Sequence, residues 1–361
     1  MKSLRILHVA NRAEKHWGNK YYSFPYKINN GFVRNGHCVY WFSDRDVSRA
    51  LAPIPSRKLG VGACNRKLLE VCNNFQPDVV VLGHAEIIRH ETLAEIKARH
   101  NPVIVEYDID LLHVDNLKKI DGRNGYVDFY FVGTGGKVLG ELATKGTRFA
   151  YIPNPVDPSI DCLENHAQAD LPVEVFFAGQ ISHMVDTADL RTQIAALPKD
   201  MPEVKFGFFN GVWGHAYLRL VEQARMGLSI SVGLKNAGIG DGSYQYLYSS
   251  DRISQYLGNG LLAFVEKRFC LSDIYGPDCL VEVESYEELK EQIAFFARRN
   301  DLRMQQAAHS YRLVHDEFNE RLVANFMLET ATDQPYSHDY RWPTRVWSPP
   351  AAVLASNVSQ A

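Results

Sequence analysis

No stretch of this sequence stays apolar long enough to span a membrane. Its opening, MKSLRILHVANR, turns polar after a few apolar residues, too early for a signal-peptide core. A cytoplasmic protein is the expectation, with contact to the inner face of a membrane left open. Cysteine is scarce and scattered: six residues (Cys38, Cys64, Cys72, Cys162, Cys270 and Cys279) with no C-x-x-C pair. That excludes a zinc ribbon or a disulfide framework and points to free thiols buried in apolar runs, as at Cys38. There is no surplus of charge of one sign. Lys and Arg number 39 against 42 Asp and Glu, a net charge of −3, which argues against a general nucleic-acid binder but leaves room for a local basic cleft. No short-period repeat occurs. The first apolar run also lacks the G-x-G-x-x-G loop that a dinucleotide site would place after it.

What is present is an alternation. At 361 residues, 46% of them hydrophobic, the chain has material for two domains. Leu4–Ala10, Cys38–Phe42, Val79–Leu82, Val103–Tyr107, Val127–Val132 and Phe149–Ile152 are uniformly apolar runs. Helical patterns near 26–35, 66–74, 91–99 and 137–143 separate several of them. Such runs form parallel strands covered on both faces. Asn154-Pro155-Val156-Asp157-Pro158 and the polar residues to Asp170 break the pattern and form the best linker. The alternation then restarts, with strands at Val173–Ala178, Val204–Phe209, Leu228–Val232 and Leu261–Val265, and several helices close the chain. The expected organisation is an N-terminal α/β Rossmann-like domain at 1–153, a linker at 154–170, a second Rossmann-like domain at 171–330, and an aromatic and basic tail at 331–361. The tail, with Tyr336, Tyr340, Trp342 and Trp347 among arginines and prolines, reads more simply as packing across a domain than as a membrane or polyanion ligand. Two parallel-sheet domains facing across a cleft hold ligands at the carboxyl ends of their strands.

The most informative stretch is Gly238–Val265. Glycines at 238, 240 and 242 precede Ser249 and Ser250, either of which can cap a short helix carrying Asp251, Arg252 and Gln255. A helix start with an Arg in its first turn suits a diphosphate. An ordinary loop–helix–strand unit with a surface Arg is the alternative. In the N-terminal half, Val105-Glu106-Tyr107-Asp108-Ile109-Asp110-Leu111-Leu112-His113 follows a buried strand. In an extended chain Asp108 and Asp110 would share a face and could serve as a general base. Solvated acids, or a cap on the next helix, are the other readings. A lone D-x-D lacks a third ligand, so no metal is expected. Gly133-Thr134-Gly135-Gly136 falls short of a dinucleotide fingerprint and reads as an anion-tolerant or acceptor-facing turn. His183 sits just beyond the first strand of the second domain and could face the cleft.

Ser250-Asp251-Arg252, Gln255, Gly258-Asn259-Gly260 and the strand Leu261–Val265 resemble the C-terminal domain of GT-B glycosyltransferases, in particular the CgeB-like branch with a family-1-type domain. The glycine after the first strand (Gly179), the helix-opening Arg191, the phrase Pro153-Asn154-Pro155-Val156-Asp157 and the closing helices over 286–329 add to the resemblance. It covers residues 150–330 and extends to the N-terminal half in layout. The resemblance implies a GT-B fold and transfer of a sugar from a nucleotide-diphosphate donor to a hydroxyl acceptor, in bacterial surface glycan or glycoconjugate synthesis. Donor-binding residues would be Gly179, Ser182, Arg191, Lys235, Ser250, Asp251, Arg252 and Gln255. The catalytic acids would be Asp108 and Asp110, with His16, Gly18 and His113 on the acceptor side. The expected partners are a nucleotide sugar and a saccharide, lipid-linked or protein acceptor, with no nucleic acid and no cofactor or metal. Two positions depart from the family: Gln255 stands where a Glu commonly contacts the ribose, and Gly18 alone replaces the usual glycine pair. A non-catalytic two-lobed sugar or nucleotide binder of the same descent is the alternative; a nicotinamide oxidoreductase is disfavoured by the missing fingerprint.

Overall fold

The computed structural model describes residues 2–54, 56, 58–112, 114–181, 189–231 and 245–350. Six strands, β1 (Arg5–Ala10), β2 (Cys38–Phe42), β3 (Val79–Gly83), β4 (Val103–Asp108), β5 (Phe129–Val132) and β6 (Arg148–Tyr151), form one sheet in the order β2-β1-β3-β4-β5-β6. Every pairing in it is parallel. Between them run α1 (Phe24–Arg34), α2 (Asp44–Ala50), α3 (Val61–Phe75), α4 (His90–His100), α5 (Val114–Arg123) and α6 (Val138–Ala143). β3 (VVVLG) is buried at every residue, as a strand covered on both faces must be. β2 is the edge strand, and that explains why Cys38 is exposed rather than buried as its apolar run suggested. All six cysteines are free thiols.

The second sheet has five parallel strands, β7 (Val173–Ala178), β8 (Phe206–Phe209), β9 (Ala224–Leu228), β10 (Leu262–Glu266) and β11 (Val281–Val283), in the order β11-β10-β9-β7-β8. The helices of this half are α7 (Leu190–Gln193), α8 (Leu197–Asp200), α9 (His215–Val221), α10 (Arg252–Gly258), α11 (Ser272–Tyr275), α12 (Tyr286–Arg298), α13 (Asn300–Glu317) and α14 (Glu320–Ala331). Two doubly wound parallel sheets are thus the architecture, as the alternation of the sequence implied.

The sequence reading did not contain α5, α11 or β11, and three further elements differ from it. β9 lies at Ala224–Leu228 rather than near 228–232. Arg225 and Gly227 interrupt its apolar pattern, and Gly227 is required because a Cβ there would stand 2.5 Å from the Tyr256 ring. Helix α2 (DRDVSRA) is nearly all polar and buries only Asp44 and Ser48, so hydrophobic periodicity gives no sign of it. α10 begins at Arg252 without a serine cap. Asp251 has right-handed helical angles (φ −48, ψ −26) and no side-chain cap bond, and the Ser250 carbonyl accepts from Ile253 N.

The halves are fastened by buried ion pairs. Lys27 of α1 forms a buried 2.5 Å ion pair with Asp161 and donates to the Pro155 carbonyl and Ser254 Oγ. Arg34 pairs with Asp157 at 2.7 Å and Glu320 at 2.6 Å. The polar segment after Pro153 is therefore packed rather than loose, because its buried acids find cations on α1. Helix α14 returns to lie on α1, where Gly31 leaves room for the Glu320 carbonyl; a Cβ at Gly31 would be 2.2 Å from that oxygen. The tail then runs over the N-terminal half. Tyr340 and Trp342 are buried and pack on Phe326, and Trp347 pairs antiparallel with Phe149 of β6. Among the described residues, no helix is long and apolar enough to cross a membrane.

Candidate active site

The carboxyl ends of both sheets open into the space between the halves, where two neighbouring cavities meet at Asp251 and Arg252. One, of about 280 Å³, is lined by Phe24, His84, Tyr107, Asp110, Tyr248 and Ser250 among others. The second, of about 300 Å³, is lined on its C-terminal side by Gly179, Phe209, Trp213, Tyr217 and Gln255, and opposite by Lys20 and Tyr22. Loop 11–23 reaches over to the second half. Tyr22 stacks on Tyr217 with ring centres 5.2 Å apart, Lys20 Nζ lies 4.7 Å from the Trp213 ring, and Gly214 leaves space for Asn19.

The C-terminal wall is built around two arginines. Arg191, on α7, and Arg252, at the start of α10, place their guanidinium carbons 4.6 and 5.4 Å from the Phe177 ring centre at the end of β7. Both donate to the Ile230 carbonyl, at 2.6 and 2.9 Å, and Arg191 also donates twice to the Gln180 carbonyl. Gly179 permits this approach, since a Cβ there would lie 2.9 Å from Arg191 Nη2 and 3.4 Å from Arg252 Nη1. No carboxylate forms an ion pair with either guanidinium among the described residues. Burial, reinforced by the charge of Arg252, lowers the Arg191 pKa to about 10. Arg252 Nε and Ser250 Oγ are buried without a hydrogen-bond partner among the described residues. Two like charges sharing one carbonyl, beside orphaned donors, make a socket for an anion with several oxygens.

The N-terminal wall is acidic. β4 ends at Asp108, which is fully buried, and Asp110 stands exposed two residues later. The chain turns after β4 instead of continuing extended: Asp108 Oδ1 accepts from the Asp110 main-chain N–H at 3.1 Å, and Asp110 lines the cavity. Asn116 and Lys119 of α5 donate to Asp108 Oδ2 at 3.0 and 3.4 Å. Burial raises the Asp108 pKa, but His84, Lys119 and these hydrogen bonds together bring it below the usual carboxylate value. His84 Nε2 is 3.8 Å from Asp110 Oδ2. His84, Asp108 and Asp110 can bring ligand atoms within 4.8 Å of one another, yet Asp108 already holds the Lys119 ammonium where a metal ion would compete. Asp251 lines both cavities; burial and Asp110 raise its pKa against the pull of Lys27, His84 and Arg252.

The structure thus gathers Gly179, Arg191, Ser250, Asp251, Arg252, Gln255 and Asp110 about one cleft, with Asp108 immediately behind it. Gln255 is buried, and its Oε1 accepts from the Tyr217 hydroxyl at 2.6 Å. Ser182, Lys235, His113, His183 and the glycines at 238, 240 and 242 lie outside the described residues. His16 and Gly18 line neither cavity; His16 closes a 3-10 turn, and Gly18 is exposed with φ +85. The Gly133–Gly136 loop packs against the other half instead of facing a ligand: Gly135 N donates to the Tyr246 carbonyl, and the Tyr246 ring covers Gly136. His84, Tyr107, Lys20, Trp213 and Tyr217 escaped the sequence reading. For His84 and Tyr107, proximity to the end of an apolar strand was the available signal.

Residues 180–329 match the family model described as glycosyl transferase-like. No curated protein matches the sequence. Among solved structures, the chain resembles an alpha-glucosyltransferase in complex with UDP and a 13-mer DNA (12% identity, 91% of this chain and 100% of that one, TM-score 0.61). It also resembles sucrose-phosphate synthase from Thermosynechococcus elongatus (11% identity, 91% and 98%, TM-score 0.57) and trehalose-6-phosphate synthase (10% identity, 92% and 99%, TM-score 0.55). The fold is therefore that of the GT-B glycosyltransferases.

Proposed function

We propose that this protein transfers a glycosyl group from a nucleoside-diphosphate sugar to a hydroxyl acceptor. The observation that carries the reading is the Arg191–Arg252 pair at the end of β7, a buried and a half-buried cation with no acid paired to either among the described residues. A diphosphate would supply the missing charge. The nucleoside would lie toward Gly179, Tyr217 and Gln255, and the sugar would point toward Asp110 and Asp251. The alpha-glucosyltransferase neighbour was solved with UDP, which makes UDP-sugars the first donors to try. Ser182 and Lys235 complete the proposed donor set, and His16, Gly18 and His113 the acceptor side.

In the transfer step the acceptor oxygen bonds to the anomeric carbon and its proton passes to a base. The bond from that carbon to the diphosphate breaks, and its electron pair leaves with the diphosphate onto Arg252 and Arg191. Asp110 is the proposed base because it faces the cavity. Asp108 fixes the turn that aims it. With cationic side chains in this role, no metal is required, so chelation should leave the rate unchanged. A saccharide, lipid-linked or protein hydroxyl in surface glycan or glycoconjugate synthesis is the proposed acceptor class. Incubation with a panel of nucleotide sugars and acceptors should release nucleoside diphosphate only with an acceptor present. Thermal stabilisation by a nucleotide sugar without any release would instead support the non-catalytic binder. That second reading has one specific support, the Gln255 oxygen already engaged by Tyr217 where a ribose-binding carboxylate is usual in the family.

A further inference from the structure

Ten large hydrophobic side chains are exposed among the described residues, and four of them, Trp17, Leu51, Ile54 and Leu59, lie on two loops that each contact α2. Trp17 is 92% exposed, Ile54 66% and Leu59 59%. Both loops are anchored to that helix. Glu14 N donates to Asp46 Oδ2 at 3.0 Å, and a Cβ at Gly60 would collide with the Ser48 carbonyl. Charge accompanies the apolar groups. Between residues 45 and 67 the sequence holds six basic side chains and one acid, and of the six Arg45, Arg49 and Lys67 are paired with Glu86, Asp46 and Glu70. Lys15, Lys58 and Arg66 are exposed and have no acidic partner among the described residues.

We infer that this end of the N-terminal half docks on an anionic lipid surface, with Trp17, Ile54 and Leu59 entering the headgroup region and Lys15, Lys58 and Arg66 meeting lipid phosphates. Scattered apolar groups are ordinary on a soluble surface, but an indole flanked by cations matches the amphipathic interface of a membrane. The basic excess selects a polyanionic sheet over a second copy of this chain, which would bring the same cations face to face. Loop 11–23 carries Trp17 at its tip and Lys20 and Tyr22 in the cleft, so docking would bring lipid headgroups to the mouth of the site. The link to a lipid-linked acceptor rests on the glycosyl-transfer reading; the docking does not.

The test is sedimentation of the full chain with vesicles of phosphatidylcholine alone, or with about one-third phosphatidylglycerol, at low and raised salt. Binding is expected only to the anionic vesicles and should weaken with salt. Trp17→Asn with Ile54→Ser, and separately Lys15→Glu with Lys58→Glu, should each reduce partitioning about ten-fold or more, with melting temperatures unchanged. All four positions are exposed, so the fold should persist; Asn tolerates the left-handed backbone (φ +52) of Trp17. No binding to anionic vesicles, or binding that neither double variant weakens, would overturn the inference. So would concentration-dependent dimerisation that Trp17→Asn abolishes. A loss of vesicle binding with transfer to soluble acceptors intact separates docking from catalysis.

Discussion

The two walls of the cleft handle charge in opposite ways. At the end of β4, Glu106 and Asp108 are fully buried, and α5 supplies Lys119 at 3.4 Å from both and Arg123 at 3.1 Å from Glu106. Arg123 also donates to the Ala85 and Ile88 carbonyls. At the end of β7 the charges are positive, and among the described residues only carbonyl oxygens accept hydrogen bonds from Arg191 and Arg252. A neutralised cluster holds a wall in shape. An unneutralised one is a place for a ligand to bring the opposite charge.

The sharpest way to break this comparison is to remove a cation from each wall. Arg123→Ala should lower unfolding free energy by about 3–5 kcal/mol in denaturant melts, because Glu106 loses its closest partner inside the protein. Arg191→Met at the other wall should leave stability within about 1 kcal/mol, since it relieves repulsion as it removes packing. Equal losses in the two variants would erase the distinction. Next in size is Asp110→Asn, expected to reduce turnover about 10²–10⁴-fold with donor affinity unchanged, measured by steady-state kinetics with calorimetry. Asp108→Asn should also slow turnover, but with a fall in melting temperature that Asp110→Asn does not share. A full rate for Asp110→Asn would move the base to Asp251.

One acid on the N-terminal side lacks the compensation its neighbours have. Asp44 is fully buried, neither side-chain oxygen finds a well-formed hydrogen bond among the described residues, and burial raises its pKa to about 6 against the pull of Arg45. A carboxyl with a raised pKa binds its proton more tightly folded than unfolded. Its stabilising contribution is therefore complete below the unfolded value and is lost as pH rises through about 6. Asp44→Asn should gain on the order of 2 kcal/mol over the native chain at pH 8 and nothing near pH 3, read from paired denaturation curves. A pH-independent difference would mean that Asp44 is compensated after all.

Much of the scaffold was legible because buried parallel strands advertise themselves. Val79–Leu82 and Val103–Tyr107 could be read as nothing else, and the restart at Val173 marked a second sheet. The elements that escaped are short or have little apolar content: the largely polar α2 and α5, the four-residue α11 and the three-residue β11. The donor wall was legible in part. Arg252 and Gln255 lie on one short helix, and Arg191 opens another. Their convergence with Phe177 and Ile230 depends on strands packing side by side, which spacing along the chain does not encode. The acceptor wall was harder. Asp108 and Asp110 look equivalent in V-E-Y-D-I-D, and only the turn after β4 separates the buried one from the exposed one.

The central claim is that Arg191 and Arg252 await a diphosphate, and titration calorimetry of UDP against the native chain and Arg252→Ala tests it most directly. The account predicts binding to the native chain that weakens by about 2 kcal/mol in Arg252→Ala, as for a lost charge-assisted hydrogen bond, while the melting temperature without ligand stays the same. Affinity unchanged by the substitution, for UDP and for inorganic pyrophosphate alike, would contradict it.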